Sequence, residues 1–163
     1  MKLRRRLIGC ALMTLLSLPR FAFAALDLST DNRSLSFGLM QLSEQQTLAQ
    51  YGTYHNEVTC SSTNGITWYV KINLLQPLSS GGESIPIERF QWELVSTSGT
   101  GTIAHTGQFT PFSLTPDLVY LSGANEASGE PVRLRFRYSL NIPDAQVHGV
   151  YSTTVRFTLT EIL

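Results

Sequence analysis

The chain has 163 residues, with twelve Lys and Arg against twelve Asp and Glu, three His and two Cys. That length suits one domain of ordinary size. The charge balance leaves no basic footprint for nucleic acid.

Residues 1–24 read as a cleaved export signal. Met1 to Arg6 is a basic start, residues 7–18 form an apolar stretch too short to span a bilayer, and Pro19-Arg20 breaks it. Ala22-Phe23-Ala24 supplies the small-x-small pattern for cleavage before Ala25. Removing the leader takes away five basic residues and no acid. The expected mature domain, 25–163, then carries seven basic against twelve acidic residues, a formal −5. No second stretch is apolar and long enough to span a membrane, so the expected route is the periplasm, then the cell surface or beyond. Cys10 leaves with the signal. Cys60 remains without an internal partner and is expected to be a small buried apolar residue.

Downstream the pattern is that of strands. After a short arm in which Leu26 and Leu28 alternate with Asp27 and Ser29, strands are expected at 35–39 and 57–61, and 41–49 is the nearest approach to a helix. Ser62-Thr63-Asn64-Gly65 is a turn of the type that joins hairpin strands. In 66–74, Ile66, Trp68, Val70, Ile72 and Leu74 alternate with polar or half-polar residues, which predicts a strand with one buried face. Phe90, Trp92 and Leu94 repeat the pattern, and shorter strands are expected at 103–109 and 118–121. Pro111 and Pro116 make 110–117 irregular or an edge. The last two strands alternate best: 132–140 places Val132, Leu134, Phe136, Tyr138 and Leu140 on one face, and 151–160 does so with Tyr151, Thr153, Val155, Phe157 and Leu159. Seven or eight short strands with turns between them predict an all-β, immunoglobulin-like β-sandwich.

Residues able to do chemistry are scattered. His55, His105 and His148 stand on different segments, no nucleophile elbow or phosphate loop occurs, and no cofactor or metal is expected. A non-enzymatic role follows. Arg133, Arg135 and Arg137 share the outward face of one strand. Three guanidinium groups about 7 Å apart would form an anionic-ligand face for a surface glycan or an acidic partner. Alternatively they form a solvated face, paired with acids on neighbouring strands.

Two stretches resemble a known family. YHNEVTCSSTNGITWYVKINL (54–74), preceded by Leu35-Ser36-Phe37-Gly38, and HGVYSTTVRFTLTEIL (148–163) are similar to the strands of spore coat protein U-type domains. The resemblance implies a pilin-like fold lacking its last strand, in a surface-fibre subunit that other subunits and a periplasmic chaperone and usher complete by strand addition. It also implies that Tyr151, Val155, Phe157 and Leu159 line the acceptor groove. A complete sandwich whose last strand simply ends the chain is the alternative. In the family a Cys about nine residues before the Phe-Gly pairs with that of Val-Thr-Cys; here Leu28 holds that place. The arm 25–33 is short for a donor strand, as in a terminal subunit that accepts but does not donate. A free-standing carbohydrate-binding sandwich and a small exported hydrolase are the rival functions.

Overall fold

The structure is a computed structural model that describes residues 25–163; the expectations for residues 1–24 fall outside it. Twelve strands run β1 (Leu26–Thr30), β2 (Gln45–Leu48), β3 (Asn56–Ser62), β4 (Tyr69–Leu74), β5 (Ser79–Ser80), β6 (Glu83–Ser84), β7 (Phe90–Thr97), β8 (Thr102–Ile103), β9 (Thr110–Pro111), β10 (Asp117–Leu121), β11 (Val132–Asn141) and β12 (Val155–Thr160). The only helical pieces among the described residues are short 3-10 turns at Ile87–Arg89 and Ala124–Ser128. None is long and apolar enough to cross a membrane.

The strands form an all-β sandwich. One antiparallel sheet is ordered β1-β3-β11-β7-β9, with β2 also on β11, and the other is ordered β12-β4-β10-β8, while β5 and β6 form a two-stranded sheet of their own. The sheets pack where period-two alternation turns apolar side chains inward. Val58 and Cys60 of β3, Trp92 and Leu94 of β7 and the even residues Val132 to Leu140 of β11 meet Trp68, Val70, Ile72 and Leu74 before and along β4. Aromatic contacts fill the centre, such as Phe136 on Phe157 at 5.0 Å and Phe90 on Phe112 at 4.5 Å between centroids. Such pairs add about 1 kcal/mol each beyond the area they bury.

A buried carboxylate pins one end of the sandwich. Glu126 accepts hydrogen bonds from the backbone N–H of Thr100 (2.5 Å) and Gly123 (2.7 Å) and from the Tyr120 hydroxyl (2.9 Å). Gly99 and Gly101 are required there, because a Cβ on either would collide with the Tyr120 side chain.

Several expectations change. The Asn64-Gly65 turn does not close a hairpin: β3 pairs with β1 and β11, so both its edges are taken, and the chain crosses to β4 in the opposite sheet. Residues 35–39 form no strand, whereas the polar stretch 41–49 contains β2, paired with Tyr138–Asn141 of β11. Of the expected strand 103–109 only Ile103 lies in a strand, β8, and the final strand begins at Val155, with Ser152 making a separate bridge to Ser79. The alternating arm Leu26–Thr30 is β1, paired antiparallel with β3.

Candidate strand-acceptor groove

β1 and β12 are the outer strands of the two sheets, and they flank one seam of the sandwich. The hydrogen-bonding phase of each can be worked out. Leu75 N–H donates to Thr154 C=O, so 154 and 75 form a hydrogen-bonded pair. In an antiparallel ladder such pairs alternate, so Arg156, Thr158 and Thr160 bond to β4. The N–H and C=O of Val155, Phe157 and Leu159 therefore point to the free edge. For β1, Thr63 N–H donates to Ala25 C=O and Asp31 N–H to Glu57 C=O. By the same alternation, Leu26, Leu28 and Thr30 face the seam with their backbone groups. None of these six residues has a backbone hydrogen bond on that side among the described residues.

The seam is closed at one end and open at the other. Glu161, just past β12, accepts hydrogen bonds from Ser62 and Asn64, which brings it beside the start of β1. Towards Thr30 and Val155 the strands part around a groove of about 1040 Å³. Its floor is apolar, made of Leu78, Ile85, Phe90, Tyr138, Leu140 and Ile142. Residues 32–42 form one wall and 146–155 the other.

Of the four residues expected in a groove, Tyr151, Val155 and Phe157 line this one. Leu159 packs against the core towards the closed end and is not part of the lining. The periodicity of β12 is what places these side chains inward. What it does not announce is the wall at 32–42. There Leu35, Phe37 and Met40 pack partly against the core, and Phe37 meets Phe90 edge-on at 5.8 Å. The alternation of Leu35 and Phe37 was the available signal, but no strand forms because no neighbouring strand offers its backbone a partner.

The arginines Arg133, Arg135 and Arg137 do share one outer face, and each meets a carboxylate. Arg135 donates to Glu57 at 2.8 Å, Arg133 lies 3.6 Å from the same carboxyl, and Arg137 is 2.7 Å from Glu93. Arg135 also stacks over Tyr54 and Arg137 over Phe109, at 4.9 and 5.2 Å from the ring centroids. Three cations thus share two carboxylates, leaving about one net positive charge on that face.

Cys60 is fully buried in β3, and its thiol is pushed up to about 12, by burial first and then by Asp27. Leu28 lies directly across from it in the β1–β3 pair. Counting from the hydrogen-bonded pairs above, Leu28 and Cys60 form a non-hydrogen-bonded pair, the closer of the two types. His55, His105 and His148 remain apart. His55 is buried against Ser34 C=O (3.0 Å), and His105 contacts Asp117 (3.2 Å). Among the described residues no group of three or more His, Cys, Asp or Glu is placed to hold a metal.

No protein-family model matches the chain, and no curated protein matches it either.

Proposed function

We propose that this chain is a non-enzymatic, exported subunit of a bacterial surface fibre, completed by a strand that another chain inserts into the seam between β1 and β12. The observation that carries the reading is the coincidence of two things at one place. The residues of β12 that turn apolar side chains inward, Val155 and Phe157, also present unpaired N–H and C=O groups to an apolar groove. An inserted strand would satisfy both at once, supplying main-chain bonds worth about 0.5–1.5 kcal/mol each and alternate side chains for the floor. The fold is then an incomplete, pilin-like immunoglobulin sandwich, and the subunit's partners are neighbouring subunits with the chaperone and usher that deliver them. β1, being tied to β3, is not the free arm that would pass to the next subunit.

Two experiments test this. A strand of alternating Val and Thr is fused after Leu163 through a flexible Gly/Ser linker of about ten residues. The expected result is a higher melting temperature and less self-association than the unfused chain. An unchanged melt and unchanged association would overturn strand acceptance. Immunogold labelling of intact source cells should decorate filaments outside the envelope, and label confined to the periplasm would overturn the fibre role.

A further inference from the structure

The walls of the groove carry the most exposed large apolar side chains near it. Leu39 is 103% exposed and Val150 89%, one on each wall, with Leu42 and Val147 beside them at 45% and 52%. Exposed leucines and valines scattered singly need no explanation, but four gathered around one mouth form a patch that calls for a partner. The backbone beneath them is equally unengaged. Among the described residues, Leu35 to Met40 make no backbone–backbone hydrogen bond, and Gly38 turns through the left-handed region at φ 69°. Yet the segment is anchored at both ends, by Asp31 N–H on Glu57 C=O and by Ser43 N–H on Ile142 C=O. It can shift locally but cannot leave.

Charge adds to this. In a domain with twelve acidic residues, the groove lining contains Arg33 and His148 and no carboxylate. Arg33 has no carboxylate within ion-pair distance among the described residues.

From this we infer that the two walls are a clasp: 33–42 and 146–151 close over a strand inserted from another chain, folding Leu39 and Val150 onto it, and the strand that fits is apolar at alternate positions with an acidic residue near Arg33. The inference rests on the strand-acceptor reading above, and adds that release is governed by the walls as well as by the edge of β12. Closing the walls gives the unpaired 35–40 backbone a strand to bond to and removes the exposed apolar mouth from water, two gains that occur only when the groove is filled.

The test uses the full chain with and without the fused Val/Thr strand, carrying an Asp at its end or a Lys in its place. Each is made in the parent and in the Leu39→Ser, Val150→Ser double variant. Both side chains are exposed, so the unfused double variant should melt within about 2 °C of the parent. In the parent, the fused strand should raise the melting temperature and slow amide exchange across 35–40, more with Asp than with Lys. In the double variant, about half of that rise should be lost, because the apolar cover is gone. An equal rise in parent and double variant, with 35–40 exchanging as fast as before, would overturn the clasp and leave strand acceptance standing. No rise in either background would overturn both. Equal rises with Asp and Lys would overturn the acidic preference.

Discussion

Replacing Leu28 by Cys should create a disulfide with Cys60, and the structure sets its magnitude. The two residues face one another across β1 and β3 in a non-hydrogen-bonded pair. In that pair type the Cα atoms stand about 4.5 Å apart, at the short end of the range a disulfide accepts. The bridge would close residues 28–60, a loop of about 33 residues, and restricting that loop in the unfolded chain contributes about 3.7 kcal/mol. Leu28 is partly buried against the core, so trimming it to Cys costs about 1–2 kcal/mol. The net is about 2 kcal/mol, or about 5 °C in melting temperature for a domain of this size. Oxidation must accompany folding, because a thiol pushed up to about 12 offers almost no thiolate in the native state. The assay is refolding of Leu28→Cys in a glutathione buffer, with intact mass and thermal melts with and without reductant. Loss of two hydrogens and a reductant-sensitive rise in melting temperature are expected. Two free thiols after refolding would refute the β1–β3 register, and with it the claim that β1 is not a free arm.

Cys60 of the parent chain should not react with Ellman's reagent until the protein unfolds; native reactivity at neutral pH would contradict its burial. Alkaline stability should fall in two stages. The Cys60 thiol is raised from 9.0 to about 12 and the Tyr120 hydroxyl from 10.0 to about 12, both chiefly by burial, and Tyr138 is raised for the same first reason. The folded state holds these protons more tightly than the unfolded state, so the stabilisation is complete below pH 9 and declines as pH rises towards 12. Denaturant melts across that range should show the decline, and Cys60→Ala should delay its onset to about pH 10; an onset unmoved by the variant would contradict the assignment. Glu126→Gln should cost about 1–3 kcal/mol in urea melts, since a carboxylate taking three hydrogen bonds is replaced by an amide that matches fewer. Gly101→Ala should destabilise at least as much, and a neutral result for either would remove the clamp between Tyr120 and the 98–101 turn.

The sandwich was legible from alternation because its core is built by alternation. Val132 to Leu140 and Trp68 to Leu74 are inward at every second position, and no other secondary structure buries such a set. The misreadings arose where pairing, rather than side-chain pattern, decides. Asn64-Gly65 has hairpin chemistry, but β3 had no free edge to offer β4. Residues 35–38 have strand alternation, but no neighbour pairs with their backbone. Gln45–Leu48 has a single apolar residue, Leu48, yet it forms a strand because β11 supplies a ladder. For the groove, the sequence located Tyr151, Val155 and Phe157 through the period of β12. On the opposite wall it offered only the alternation of Leu35 and Phe37, and it did not show that Leu39 and Val150 would come to lie on the two sides of one groove, which depends on where two distant segments are placed.

The central claim is that the edge of β12 is open, and residue-resolved amide hydrogen exchange by NMR tests it most directly. In the chain alone, Arg156, Thr158 and Thr160 should be protected and Val155, Phe157 and Leu159 should exchange rapidly, in strict alternation. Adding the fused strand should slow Val155 and Phe157 and abolish the alternation over the open part of the seam. Uniform protection along β12 in the chain alone would mean that the edge is already satisfied, and would contradict the account.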